Sequence, residues 1–329
     1  KDLFLVYSAD EDISELARSR RIKVERLTFA DGDDRSPKWS PDGASVAFVR
    51  GKGDLYILDM RKKKERTVLS GWSLIQHSWS PDGKWIAFAR EDNDYNSDIF
   101  VIPSEGGAPV NISRHPDEDE FPVWSDDGEK LGFRSRRRAN NWDIYFVFLN
   151  QEDHFKAGKD RVEEDFFKSL LEKDDDDDDK KKKKKKDSEK EITVIIDTLD
   201  IHRRIRRVTE LPGTEGIFDI SPDGEKFAFT SNHEGESDIY IADWTGKNIK
   251  RLTEGDTYLK WLEFAPKGNN VRFLTGKGVV RSVNTEKNKS KTIPFDAVLW
   301  VDPAAERLQK FDEMWRWLND RYYDAEFHG

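Results

Sequence analysis

Trp39-Ser40-Pro41-Asp42-Gly43 is a five-residue stretch that the chain uses again at Trp79-Ser80-Pro81-Asp82-Gly83. Variants stand at Trp124-Ser125-Asp126-Asp127-Gly128, Ile220-Ser221-Pro222-Asp223-Gly224 and Phe264-Ala265-Pro266-Lys267-Gly268. The first three lie 40 and 45 residues apart, the last two lie 44 apart, and 96 residues separate the third from the fourth. Ser-Pro-Asp-Gly suits a type I turn, with proline fixing φ at the second position and glycine at the fourth. The aromatic or aliphatic residue before each turn ends one strand. A second apolar strand is expected after each, at 45–49, 85–89, 130–133, 226–230 and 270–274. A third opens with Asp, an aliphatic residue and an aromatic: Asp54-Leu55-Tyr56, Asp98-Ile99-Phe100, Asp143-Ile144-Tyr145, Asp238-Ile239-Tyr240. A fourth carries Arg26-Leu27-Thr28, Asn111-Ile112-Ser113, Arg207-Val208-Thr209 or Arg251-Leu252-Thr253.

Four short strands in every 40 to 45 residues mark a propeller blade, because a lone four-stranded sheet cannot bury both faces and must stack on its neighbours. The expected fold is all-β: a β-propeller of four-stranded blades over 1–301, with five turn-bearing repeats and a partial one. Asp2-Leu3-Phe4 matches the third-strand element, so the chain is expected to start inside a blade. The 96-residue gap is one period plus roughly 50 residues, and it contains the acidic run Asp174–Asp179 and the basic run Lys180–Lys186. Blocks of like charge bury too little apolar surface to offset chain entropy. A disordered charged insertion is therefore expected at about 152–191. Within it Val162, Phe166, Phe167, Leu170 and Leu171 keep helical spacing, the pattern of a short amphipathic helix. The insertion reads either as a surface loop between strands or as a docking arm for a partner. The acidic block argues against nucleic acid as the target of the lysines.

Composition bounds the function classes. The chain has 329 residues, a net charge of −10 and no cysteine. Disulfides and thiolate metal sites are excluded, and a general affinity for nucleic acid is not expected. No apolar run approaches the roughly 20 residues of a membrane span. Lys1 stands where a native start would place Met, which reads as a processed or excised terminus.

Candidate chemistry is sparse. Asp92, Asp94, Asn96 and Asp98 alternate like the first ligands of a calcium loop. The pattern then fails, with Ser97 at the glycine position and Pro103 at the bidentate glutamate position. The six histidines, His77, His115, His154, His202, His233 and His328, show no metal-ligand pairing. A nucleophile elbow and a phosphate loop are both missing. A Ser/His/Asp group assembled in space from several blades is left open. Arg134, Arg136, Arg137 and Arg138 are expected to end a strand and open a loop, either solvated or facing a carboxylate or an axial channel. No catalytic, cofactor-binding or metal-binding residue is assigned, and no cofactor is expected.

After Trp300 the period changes. Leu308, Phe311, Trp315, Leu318 and Tyr322 recur at 3, 4, 3 and 4 residues, one face of a helix. Asp302 sits at the cap and Pro303 in the first turn. This helix belongs to no blade and is expected to open a second domain at 302–329, the N-terminal helix of a core domain of which only the start is present.

The repeats, with their SPDG turn, apolar strand and DIY, resemble TolB-like (WD40-like, PD40) propeller repeats. The tail is more specific. Phe311-Asp312-Glu313-Met314-Trp315-Arg316, Tyr322-Tyr323-Asp324 and His328-Gly329 resemble the entrance to the first core domain of tricorn-type serine peptidases of the S41 kind. That resemblance covers essentially the whole chain, from the second propeller into the core, with the charged insertion as a departure. It implies a parent serine peptidase with peptide substrates, core and PDZ domains beside the propeller, and a homo-oligomeric, cytoplasmic assembly, the periplasm being the alternative. The family's catalytic His, Ser and supporting acid all lie beyond the matching positions, and His328 corresponds to the HG element at the domain entrance. The implied role of the propeller is non-catalytic: peptide access or exit and bracing of the core. Two other readings compete, a stand-alone TolB-like protein-binding module and the propeller of a prolyl-oligopeptidase-like enzyme.

Overall fold

A computed structural model describes residues 1–10, 12, 16–73, 75–92, 94–138, 140–158, 192–255, 258–294 and 302–321. The chain divides into two compact units, one of Lys1–Pro37 with Pro294–Gly329 and one of Lys38–Ile293.

The fold is the expected β-propeller. Five four-stranded antiparallel sheets follow one another. Blade 1 is β3 (Asp34–Trp39), β4 (Ser45–Arg50), β5 (Asp54–Asp59) and β6 (Lys64–Leu69). Blade 2 is β7 (Gln76–Trp79), β8 (Trp85–Glu91), β9 (Ser97–Pro103) and β10 (Val110–Asn111). Blade 3 is β11 (Asp119–Trp124), β12 (Lys130–Arg138), β13 (Asn141–Phe148) and β14 (Ile205–Arg207). Blade 4 is β15 (Glu215–Ile220), β16 (Lys226–Ser231), β17 (Asp238–Asp243) and β18 (Lys250–Arg251). Blade 5 is β19 (Leu259–Phe264), β20 (Asn270–Thr275), β21 (Val280–Asn284) and β22 (Ser290–Thr292). The partial blade is the ribbon of β1 (Phe4–Ser8) and β2 (Ile22–Arg26).

Each repeated turn closes as its residues dictate. The Gly43, Gly83, Gly128, Gly224 and Gly268 amides donate to the carbonyls three residues back at 2.7–2.9 Å. Gly43 has φ +68 with nothing within 4 Å of a built Cβ, so backbone conformation rather than space demands glycine there. In four turns the serine hydroxyl donates to the Asp two residues on and accepts the amide five residues on, as for Ser40 with Asp42 (2.5 Å) and Ser45 (2.9 Å). Ala265 replaces that serine in blade 5 and forgoes both bonds.

The core lies between blades. On β13, Tyr145 and Val147 pack with Ala87, Val101 and Phe133, while Ile144, Phe146 and Phe148 pack with Phe218, Phe227 and Phe229. Side chains alternate across a strand, so a strand with a blade on each side is apolar at every position. Phe146 is fully buried, and a side chain of that size contributes roughly 2–3 kcal/mol through burial. Equivalent layers join blades 1 and 2 and blades 4 and 5.

The charged insertion separates β13 from β14. Residues 151–158 form a helix, α1, so the segment expected to be disordered from about 152 begins with a helix instead. The amphipathic pattern at Val162–Leu171 and the Asp and Lys runs lie outside the described residues. The returning chain is anchored. Val194 and Ile201 are buried in the blade 2–blade 3 layer. Arg204 donates to the carbonyls of Phe148, Leu149, Leu199 and Asp197.

In the other unit, α2 (Pro303–Arg321) starts on Asp302, whose carboxylate accepts the Ala304 amide at 2.8 Å. Its apolar stripe is open: Leu308, Phe311 and Trp315 are each more than half exposed. Asp2 pairs with Arg26 (2.8 Å) and Arg316 (3.5 Å). No described helix is long and apolar enough to cross a membrane.

Candidate functional site

In blades 2, 3 and 4 the third and fourth strands converge on a polar cluster. Their Asp and hydroxyl residues meet because β9 and β10, or β17 and β18, pair antiparallel at those positions. In blade 2 the Ser113 hydroxyl donates to Asp98 (2.8 Å) and accepts the Ile99 amide (3.0 Å). In blade 4 Thr253 does the same with Asp238 (3.0 Å) and Ile239 (3.0 Å), and Arg251 pairs with Asp238. In blade 3 Arg207 pairs with Asp143 at 2.7 Å, and Thr209 accepts the Ile144 amide at 2.9 Å. These clusters tie strand to strand.

The calcium-like run is not a site. Asp92 accepts the amides of Asp94 (2.8 Å) and Asn96 (3.0 Å), which makes it the cap of a hairpin, and Asp98 is committed to its blade cluster. Among the described residues no group of His, Asp and Glu could hold a metal ion.

The arginine row differs from expectation. β12 runs on through Arg138, so these are strand residues rather than the start of a loop. Each of the first three faces an acid on β11 or just before it: Arg134 with Glu120 (2.9 Å), Arg136 with Glu118 (3.1 Å) and Arg137 with Asp119 (2.6 Å). Arg134 also lies 4.4 Å from the ring centroids of Phe121 and Trp142. With their charge met inside the blade, they make a poor anion receptor. Beside them a notch of about 160 Å³ is lined by Gln76, Ala89, Glu91, Tyr95, Ser97, Glu118 and Glu120. That is below the roughly 300 Å³ at which small-molecule sites begin.

The histidines are scattered. His77 is buried between blades 1 and 2, and burial holds it down at about 4, neutral in ordinary buffers. His154 meets Arg206 at 3.1 Å. The His115 ring accepts the Asp117 amide at 3.2 Å. His328 lies outside the described residues.

One Ser/His/acid grouping does assemble. His233 Nδ1 lies 3.2 Å from the Ser231 hydroxyl, and its Nε2 lies 3.6 Å from Glu234. Ser231 is 1% exposed, and its hydroxyl donates to Glu215 at 2.9 Å. A nucleophile must reach a carbonyl and have oxyanion donors beside it. A sealed serine whose proton is held by a glutamate satisfies neither requirement. Sequence reading missed Glu215. Its only signal is the spacing Thr209 to Glu215, repeated as Ser113 to Asp119 and Thr28 to Asp34.

A second acid with a raised pKa, the half-buried Asp219, accepts the Phe264 amide of blade 5 at 2.6 Å. Burial pushes it up to about 7, with Asp126 and Glu263 adding to the rise.

Comparison with known proteins agrees with the resemblance stated from the repeats and the tail. Residues 34–157 match the TolB beta propeller domain family (PD40). Residues 303–329 match the Tricorn protease C1 domain. Among solved structures, a putative TolB from Agrobacterium tumefaciens superposes with TM-score 0.56 at 20% identity, covering 82% of this chain and 83% of that one. The tricorn protease superposes with TM-score 0.66 at 14% identity over 92% of this chain, which spans 30% of that protease. A puromycin-hydrolyzing peptidase from Mycobacterium tuberculosis gives TM-score 0.56 at 15% identity, covering 85% of this chain and 40% of that one. Identities this low establish the propeller fold. A search of curated proteins finds no match.

Proposed function

The chain is a TolB-like β-propeller joined to a segment of the tricorn C1 kind, and we propose that it serves a tricorn-like serine peptidase as a non-catalytic propeller. In this reading it shapes the route by which unfolded peptides enter or leave, and it braces the proteolytic core. The observation that carries the proposal is the joining, in one chain, of PD40 blades to a C1 segment at 303–329. The open stripe of Leu308, Phe311 and Trp315 is then the face against which the rest of a core domain packs. Peptide substrates, the core and PDZ domains and further copies of the chain are its proposed partners, and the cytoplasm its proposed compartment.

The polar chemistry supports this assignment of labour. The one Ser/His/acid group among the described residues is sealed, and the arginines are spent on acids of their own blade. The test is hydrolysis of unfolded fluorogenic peptides by the purified chain. None is expected, and Ser231→Ala should leave that background unchanged. Turnover that copurifies with the chain and disappears in S231A would overturn the non-catalytic role. The alternative, a stand-alone TolB-like binding module, accounts for the blades but gives α2 and its C1 match no task.

A further inference from the structure

Two consecutive joints between blades are built from the same parts with one exchange. In each, a hydroxyl on the fourth-strand element of one blade reaches the acid that opens the next blade. Ser113 lies beside Asp119 while giving its proton to Asp98 (2.8 Å), and Thr209 donates to Glu215 Oε2 at 3.0 Å. Each acid also faces a serine of its own second strand, Ser135 for Asp119 and Ser231 for Glu215. Two residues after that serine the exchange occurs. Arg137 pairs with Asp119 at 2.6 Å, whereas His233 occupies the matching place in blade 4 and turns to Ser231. The neighbouring rings confirm the equivalence. Arg137 lies over Phe133 and Tyr145, and His233 lies 4.5 Å from Tyr240 beside the matching Phe229–Tyr240 stack.

Glu215 therefore lacks the cation that its counterpart has. It is fully buried, and so is Asp143 across the joint. The two carboxyl groups are within hydrogen-bond reach of each other. Arg207 donates to Asp143 Oδ2 at 2.7 Å, but no described N–H or fixed O–H donates to Oδ1. The Glu215 oxygens already accept Thr209 and Ser231, so the group missing from the joint is a proton.

We infer that Asp143 and Glu215 share one proton across the joint between blades 3 and 4, and that this joint is a pH-sensitive latch. Two carboxylates at contact cannot both ionise in a buried site without strong repulsion. With the proton in place one carboxyl donates to the other and the blades are pinned; without it they repel. The groups facing the pair are Arg207 and Glu210 on and after β14 and His233 after β16; Tyr145 on β13 stands beside Asp143 and is itself faced by Arg137 and Arg138 of β12. Arg207 already spends one arm on Glu210 at 2.7 Å, so it neutralises only part of the pair.

The direction of the effect follows from the protons bound. Burial first, then the proximity of Asp143, lift Glu215 to about 8, against an ordinary value of 4.5 in the open chain. Between these values the folded state holds a proton that the unfolded state has released, so stability falls as pH rises through the window.

The experiment is thermal unfolding of the whole chain between about pH 6 and about pH 9, for the unchanged sequence and for Glu215→Gln, whose amide can donate to Asp143 as the protonated acid does. The unchanged chain should lose at least about 3 °C more across that range than E215Q. Equal losses would overturn the latch. Infrared spectra provide a readout that needs no folded E215Q. In Asp219→Asn, which removes the other strongly raised acid, a protonated-carboxyl C=O band should be present at neutral pH and vanish as pH passes about 8. Absence of that band at neutral pH would equally overturn the inference.

Discussion

The joint between blades 2 and 3 and the joint between blades 3 and 4 solve one problem in two ways. Both set two acids at a seam where apolar side chains do most of the holding. The first sets Arg137 against Asp119 and leaves Asp98 to Asn111 and Ser113. The second has Arg207 on Asp143 and, among the described residues, nothing basic on Glu215. Burial pushes Asp119 up too, but Arg137 opposes it first among the groups that lower it. One seam is thus held by a fixed charge and the other by a removable proton. A propeller can keep its repeat geometry while the chemistry of successive seams diverges, because one exchanged side chain decides which kind results.

That contrast can be broken from either side. The largest effect is expected from Arg137→Ala, which leaves Asp119 buried without its cation. Stripping one partner from a buried pair costs about 3 kcal/mol when the orphaned acid can still take up a proton. Urea unfolding should show this loss, and the variant's stability should fall more steeply with rising pH than the parent's. The reverse exchange, His233→Arg, should give Glu215 a cation and flatten the pH dependence of the second joint. A gain on the order of 2 kcal/mol at about pH 9 is expected in the same assay. Thr209→Val removes the hydroxyl that bridges the second joint and leaves the Ile144 amide without its acceptor. A cost of about 1–2 kcal/mol should appear, with faster amide exchange at Ile144. The smallest change is Ala265→Ser, which restores the hydroxyl the blade 5 turn lacks. A gain of about 0.5 kcal/mol is expected, read as slower exchange at Asn270.

Most of this architecture was legible in the residues. The turns announced the second strands, and the observed β4, β8, β12, β16 and β20 begin at the expected positions. The Asp-aliphatic-aromatic openings placed the rings, since Tyr56 faces Phe48 and Tyr240 faces Phe229 in register. The exchange of Arg for His was harder to see. In blades 1 and 2 the arginine follows the phenylalanine by two residues, as Arg50 follows Phe48. In blades 3 and 4 the first and second strands shift register near their open ends, and the covering residue follows by four. A linear reading groups Arg137 with its basic neighbours and leaves His233 in a hairpin. Glu215 was missed for a related reason: its partners come from two strands, the turn after β14 and two blades, and only the six-residue spacing after Thr209 hints at them. The extension of β12 through Arg138 was hidden because a run of arginines looks solvated until Glu118, Asp119 and Glu120 are set beside it.

The anchoring of the charged insertion has a practical consequence. The Asp197 amide bonds the Leu149 carbonyl at 2.9 Å, and the Asp197 carboxylate accepts the Gln151 amide at 2.9 Å. Exit and return are thus stitched together before whatever lies between them is counted. Closing a longer excursion costs only about 0.6 kcal/mol for each doubling of its length. Blade 3 therefore offers a graft point: a reporter peptide, an affinity tag or a small folded domain could be spliced between α1 and residue 192 while the sheet beneath keeps its register.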